Sequence, residues 1–214
     1  TIADTAKIIS GYCSALIIRT FAQADVEELG AHASIPVINA LTDDDHPTQL
    51  LADWLTIREN FGKDISGRKF VYLGDGNNMS HAWLIMGAIM GAHVVAATPS
   101  GKWAPNAKVV EIAKNIAANS GGKVEVSHDP EAASKDASVL YTDVWMSMGD
   151  SESERDEKVL ALSPFAVTEN LFSLTNKDSI FMHCLPAHRG EEVEASVIDG
   201  PRSVIWREAY HRRT

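Results

Sequence analysis

Cysteine is scarce in this chain: Cys13 and Cys184 are the only two in 214 residues, with neither the density of a disulfide framework nor the spaced pairs of a zinc site. A disulfide between them is not expected, and a reducing cytoplasm is the expected setting. No apolar stretch is long enough to cross a bilayer, and the amino terminus does not read as a secretory signal, so no membrane partner is expected. Positive charge is also in deficit. With 19 Lys and Arg against 29 Asp and Glu the formal charge is −10, which argues against nucleic acid as the principal partner and favours solubility. A local basic pocket for a small phosphate stays open. Repeats and low-complexity tracts are lacking too. What is left is an ordinary globular composition, 45% hydrophobic and 22% charged. The chain is long enough to bury a good core, as one large domain or as one complete and one partial domain.

Apolar runs alternate with amphipathic ones, which predicts repeated β-α units, parallel sheets and an α/β fold. Thr1 and Asp4 have the spacing of a capping pair at the start of a helix. Residues 15–18 predict a strand ending in Arg19-Thr20, 24–33 a helix, and 36–39 a short strand before an acidic loop. Pro47 then opens an amphipathic helix that ends near Gly62. Beyond Gly62 the alternation resumes, with strands expected at 69–73, 93–97, 123–126, 137–142 and 180–182 and helices at 82–90, 106–119 and 130–135. Residues 149–158, rich in charge and Ser, predict an exposed, mobile connection, either a plain surface loop or a lid.

The densest chemistry lies at 181–193, where an apolar strand runs directly into His183-Cys184-Leu185-Pro186 and then His188-Arg189-Gly190-Glu191-Glu192. Open α/β sheets place their ligands at the carboxyl ends of strands, although a buried His and Cys could equally pack a strand end. An adjacent His-Cys pair without a spaced partner makes a poor zinc site, so no metal is expected. A second segment, 42–57, places His46 and Gln49 about the first turn of a helix, whose unpaired N–H groups can hold an anion or polarise a carbonyl. Gly74-Asp75-Gly76-Asn77-Asn78 follows a strand, but Met79 stands where a dinucleotide fingerprint needs its third glycine, so no nucleotide cofactor is expected. Asn77 and Asn78 can instead bond a zwitterionic amino acid or simply shape a local turn. Asp143 follows another strand and competes with a helix-capping role.

These segments, together with Asp143-Val144-Trp145-Met146-Ser147-Met148-Gly149, occur in the order and spacing of the carbamoyltransferases, and the chain resembles that family from Thr1 to about Arg212. His-Cys-Leu-Pro and Ser-Met-Gly align it with the ornithine enzymes rather than the aspartate ones. The resemblance implies two doubly wound parallel-sheet domains, the first only partly present. Residues 1–56 would form the later half of a carbamoyl-phosphate domain, 57–200 an ornithine domain, and 201–214 a return segment. It implies transfer of a carbamoyl group from carbamoyl phosphate to the δ-amine of ornithine, as in arginine biosynthesis. By resemblance Arg19 and His46 face the carbonyl oxygen and Gln49 orients the carbamoyl nitrogen. Asp143 and Cys184 hold the amine. Asn78, Asp143, Ser147 and Met148 grip the α-amino and carboxylate end. The backbone at Leu185 completes the carbamoyl site, and Arg212 contacts phosphate. Family members carry an earlier Ser-x-Arg-Thr-Arg motif with no counterpart here, so the chain reads as part of a longer protein. They are trimers, and a homotrimer or a multiple of one is expected. At the carboxyl end the family's Glu-Ala-Glu-Asn-Arg is replaced by Glu208-Ala209-Tyr210-His211-Arg212, so Arg212 has a frayed basic terminus as its rival reading. Two other functions stay open from the residues: a non-catalytic amino-acid-binding module, and a carbamoyltransferase for a related amine such as putrescine.

Overall fold

A computed structural model describes residues 1–65, 67–146 and 151–213. The first unit contains α1 (Ile2–Ser10), β1 (Leu16–Arg19), α2 (Gln23–His32), β2 (Val37–Leu41) and α3 (Pro47–Phe61). Thr1 caps α1 by accepting the Asp4 amide, as their spacing predicts. Strands β1 and β2 pair in parallel, and their register slips between Ile18 and Arg19, a local irregularity that re-aims the strand end. Pro47 occupies the first turn of α3, and Gly62 closes that helix at φ 80°, a conformation that glycine adopts without steric cost.

The second unit contains β3 (Lys69–Leu73), α4 (Asn78–Ile89), β4 (His93–Ala97), α5 (Ala107–Ser120), β5 (Lys123–Ser127), α6 (Pro130–Ser134) and β6 (Val139–Thr142). It continues with α7 (Arg155–Leu162), α8 (Glu169–Ser173), β7 (Ile180–His183), α9 (Ala195–Ile198) and α10 (Ile205–His211). Its five strands are all parallel, in the order β5-β4-β3-β6-β7. The chain first builds outward from β3 through β4 to β5 and then returns to add β6 and β7 on the other side. The reversal falls between β3 and β6, and a crevice opens there at the carboxyl ends of the strands.

Both faces of this sheet are covered, so β3, β6 and β7 are buried almost throughout rather than alternating with solvent. Phe70 and Tyr72 of β3 point to one side, against Trp54, Ile57 and Trp83. Val71 and Leu73 point to the other, against Leu140, Phe165 and Phe181. Trp54 meets Phe70 edge-on at 5.5 Å, and Trp83 lies 4.6 Å from Tyr141. Helix α3 thus buries its Trp54 and Ile57 in the core of the second unit while its amino end follows β2 of the first, and it runs unbroken across the boundary expected at 56/57. Helix α10 packs against both α3 and β7.

One expectation requires correction. Residues 155–158, read as the end of an exposed loop, form the first turn of α7, and Lys158 is buried with its Nζ 2.6 Å from Asp75 Oδ2. Charge and Ser concealed a helix whose apolar residues come only in its last turn. Helices α8, α9 and α10 are seven residues or shorter, too brief for a 3.6-residue period to register in sequence.

Close packing of α4 on β4 depends on Gly87, since a Cβ there would overlap Val94 Cγ1. Gly87→Ala should cost about 1–3 kcal/mol in chemical denaturation. Combined with Val94→Ala it should cost less than the sum of the two single changes, because the shortened side chain vacates the overlap.

Candidate active site

The crevice at the switch between β3 and β6 opens into a cavity of about 1130 Å³ that reaches across to the first unit. One wall carries Asn77, Asn78, Asp143, Cys184 and Leu185 from the ends of β3, β6 and β7. The other carries Arg19 from β1, His46 from the start of α3, and Arg212 from the end of α10. A smaller hollow of about 720 Å³, lined by residues of α6 and α8, has no cationic side chain.

On the first wall the polar groups form one network. Tyr72 donates its hydroxyl to Asn77 Oδ1 at 3.1 Å, and that oxygen also accepts the Met79 and Ser80 amides at the start of α4. Asn77 Nδ2 then donates to Asp143 Oδ2 at 3.2 Å. Asp143 Oδ1 accepts the Val144 amide at 2.7 Å and the Cys184 thiol at 2.9 Å. Asn77 therefore caps a helix and aims Asp143, while Asp143 caps none. Asn78 lines the cavity and donates to the Thr42 carbonyl at 2.8 Å, joining the second unit to the loop that precedes His46. Burial and the neighbouring Asp143 carboxylate push the Cys184 thiol well above its ordinary pKa, so it stays protonated and serves as a donor.

The turn after Cys184 is held by His183. The Leu185 amide donates to His183 Nδ1 at 2.8 Å, which leaves the proton on Nε2 to be donated to the buried Glu192 Oε1 at 3.3 Å. Leu185 itself has φ 58°, a conformation costing a β-carbon residue roughly 1–2 kcal/mol, so its backbone is retained by surrounding bonds. His183 lies within β7 rather than beyond it, facing inward, and takes no direct part in the cavity.

Across the cavity His46 occupies the cap position of α3 but makes no side-chain capping bond. The residue is only 6% exposed. Burial first, then the positive charges of Arg212 and Arg19, lower its pKa to about 4, so the imidazole is uncharged at neutral pH. The helix start and the two guanidinium groups make this wall electropositive.

Gln49 departs from its expected place. It is fully buried and does not line the cavity; its Nε2 donates to Asp53 Oδ1 at 2.8 Å and to Glu208 Oε1 at 3.3 Å. Asp53 lies one helical turn beyond Gln49, and that i,i+4 neighbour draws the amide along α3 instead of toward the opening. Ser147 and Met148 lie outside the described residues. Cysteines Cys13 and Cys184 are both free, the first exposed. Among the described residues His188, Glu191 and Glu192 bring donor atoms within 4.8 Å of one another, but Glu191 already pairs with Arg155 and Glu192 with His183.

Two cavity groups went unnoticed in the sequence. His81, one turn into α4 from Asn77 and Asn78, faces the cavity and accepts the Asn106 amide on Nε2 at 3.0 Å. Its helical spacing from those asparagines was the available signal. Asp75 also lines the cavity, tied to Lys158. That pairing spans too much sequence to be read from spacing.

A cleft between two parallel α/β units, cationic on one side and carboxylate-bearing on the other, defines a class of α/β protein suited to an anionic ligand beside an amine. Comparison with known proteins narrows the class. Residues 1–59 match the carbamoyl-phosphate-binding domain, and residues 66–214 the aspartate/ornithine-binding domain, of the aspartate/ornithine carbamoyltransferases. The chain is 52% identical over 212 residues to an ornithine carbamoyltransferase of Pyrococcus horikoshii, covering 99% of this chain and 66% of that relative. It is 53% identical to one from Oceanobacillus iheyensis, covering 65% of it. Among solved structures, ornithine carbamoyltransferase from Pyrococcus furiosus superposes with a TM-score of 0.93 at 51% identity, covering 99% of this chain and 67% of that one. Ornithine transcarbamoylase from Giardia lamblia does so with 0.92 at 36% identity, covering 99% and 70%. The chain belongs to the aspartate/ornithine carbamoyltransferase family, and it spans about two thirds of the length of the curated relatives it matches.

Two measurements check this electrostatic reading. The His46 imidazole should stay neutral down to pH 5 and reach half-protonation near about 4 in NMR titration. Its folded pKa lies below the ordinary 6.5, so its contribution to stability is lost as pH falls from 6.5 toward 4. Alkylation at pH 8 should modify exposed Cys13 well before Cys184. Asp143→Asn should speed Cys184 labelling about tenfold for each unit by which its pKa falls.

Proposed function

We propose that the protein transfers the carbamoyl group of carbamoyl phosphate to the δ-amine of L-ornithine, giving L-citrulline and phosphate. The observation that carries this reading is the facing of two unlike walls across one cavity, Arg19, His46 and Arg212 opposite Asp143 and Cys184. A phosphoryl anion is drawn to the arginines, and an amine to the carboxylate.

In the reaction the δ-nitrogen forms a bond to the carbamoyl carbon, and the bond from that carbon to the phosphate oxygen breaks. Negative charge builds on the carbonyl oxygen as the carbon becomes tetrahedral. Arg19 and a neutral His46 would donate hydrogen bonds to that oxygen from fixed positions, the arrangement that stabilises developing charge most effectively. His46, with a pKa near 4, stays a neutral donor throughout and transfers no proton at neutral pH. An alkylammonium of pKa about 10 must lose a proton before it attacks. Asp143 and the Cys184 thiol position the amine; its first proton leaves to solvent before attack, and the second, released as the C–N bond forms, is taken up by the departing phosphate. A protonated, buried thiol is a positioning group and no nucleophile.

Asn78 and the Ser147–Met148 segment are assigned to the α-amino and carboxylate end of ornithine, and the Leu185 backbone to the carbamoyl group. Gln49 is assigned to supporting the wall from behind, given its bonds to Asp53 and Glu208. No cofactor enters this scheme. The P. furiosus relative carries the description anabolic, which supports a place in arginine biosynthesis. We assign the protein to the cytoplasm, and the assembly to a homotrimer or a multiple of one; no helix among the described residues is long and apolar enough to cross a membrane.

Citrulline formation from ornithine and carbamoyl phosphate tests the proposal. Asp143→Ala should lower kcat/KM by about 10³ or more, roughly 4 kcal/mol of lost transition-state stabilisation. Putrescine should be turned over far more slowly than ornithine. Unchanged turnover in the Asp143 variant, or equal use of putrescine, would overturn it.

A further inference from the structure

Beneath the cationic wall lies a cluster that the reaction does not use. Asp53 of α3 and Glu208 of α10 are both fully buried, and Gln49 Nε2 donates to each of them. Glu208 Oε2 also accepts the His183 amide at 3.0 Å, so one carboxyl holds α10 against both α3 and the strand that delivers Cys184. Asp53 also lies within side-chain hydrogen-bond reach of Glu208 and of the buried Tyr141 hydroxyl. Two carboxylates in contact and out of water cannot both stay charged, and one shared proton turns their contact into a hydrogen bond.

We propose that Asp53 and Glu208 share one proton and form a latch that closes α10 onto α3, so that loss of this proton frees α10 and with it Arg212. Both are positioning residues, acting through Arg212 at the end of α10 and through the His183 backbone. The consequence for phosphate contact rests on the carbamoyl-transfer reading above; the latch itself does not.

The surrounding charges leave the proton on this pair. Burial is the main cause that raises both carboxyls, Asp53 to about 7, and Arg212 opposes it only partly. Tyr141 and Cys184 are pushed well above their ordinary values and stay neutral in this range. Asp143 adds negative charge to both of them from the cavity side. On the outer side His211 accepts or donates to Thr56 Oγ1 at 2.7 Å and pairs with Glu59, which Arg207 also engages. A raised carboxyl binds its proton in the closed state and not in the open one. Closure is therefore strongest at low pH and weakens as pH rises through the raised range of the pair.

Amide hydrogen exchange across α10, measured from pH 5 to 9 and corrected for intrinsic rates, tests this. In the unaltered chain protection should fall as pH rises across this range, by about tenfold per pH unit for one linked proton. Asp53→Asn supplies a permanent donor to Glu208 and should make protection independent of pH. Glu208→Gln should do the same, whereas Asp53→Ala should lose protection throughout. A flat profile in the unaltered chain would overturn the latch without any variant. A slope that survives both isosteric substitutions would belong to another group and would overturn it equally. The KM for carbamoyl phosphate should rise with the loss of protection in the unaltered chain and stay level in Asp53→Asn; failure of that correlation would overturn the link to Arg212. Absence of all turnover beside the expected exchange profile would overturn the proposed reaction and support the latch.

Discussion

The ends of β3, β6 and β7 are joined by a chain of hydrogen bonds that runs from Tyr72 through Asn77 and Asp143 to Cys184, and the cavity exists because these strands are neighbours. Parallel pairing of β3 with β6 sets Leu73 beside Thr142, and pairing of β6 with β7 sets Thr142 beside His183. Residues separated by more than a hundred positions thereby reach one layer at the switch of the sheet. Each group in the network has its orientation fixed by the next, which is the preorganisation that positioning of a reactant requires.

Helix α3 couples this wall to the other. Its first residue beyond β2 and the acidic loop brings His46 to the cavity, its middle buries Gln49 and Asp53 under α10, and Trp54 and Ile57 enter the core of the second unit. Core packing and site electrostatics therefore share one element. His46 is kept neutral by burial and by the positive charges of Arg212 and Arg19, which lie exposed at the cavity edge. A neutral donor beside two cations can hold an anion without transferring its proton, because a neutral imidazole N–H is too weakly acidic to give it up near pH 7.

Much of the second sheet was legible. Strands at 69–73 and 93–97 coincide with β3 and β4, and Asn106 and Gly121 bound α5 where cap and stop residues are expected. Helix α4 starts earlier than its apolar pattern, at Asn78, because Asn77 caps it, and that cap was hidden behind a possible ligand role. The first turn of α7, residues 155–158, was missed because its charge looks like a loop until Lys158 meets Asp75.

Local chemistry alone determined which residue types could serve an anion and an amine, and the order of motifs determined the family. The direction of each side chain was decided by tertiary structure. Gln49 and His46 share one helical turn, yet only His46 opens to the cavity, since Asp53 and Glu208 draw the Gln49 amide into the α3–α10 interface. For Arg212 the sequence left phosphate contact and a frayed terminus as rivals, and the seating of α10 on α3 and β7 puts it at the cavity. Such outcomes depend on which distant groups become neighbours and on what burial does to their charges. Neither is a property of residue order, because desolvation and Coulomb interaction act over ångströms in space and not along the chain.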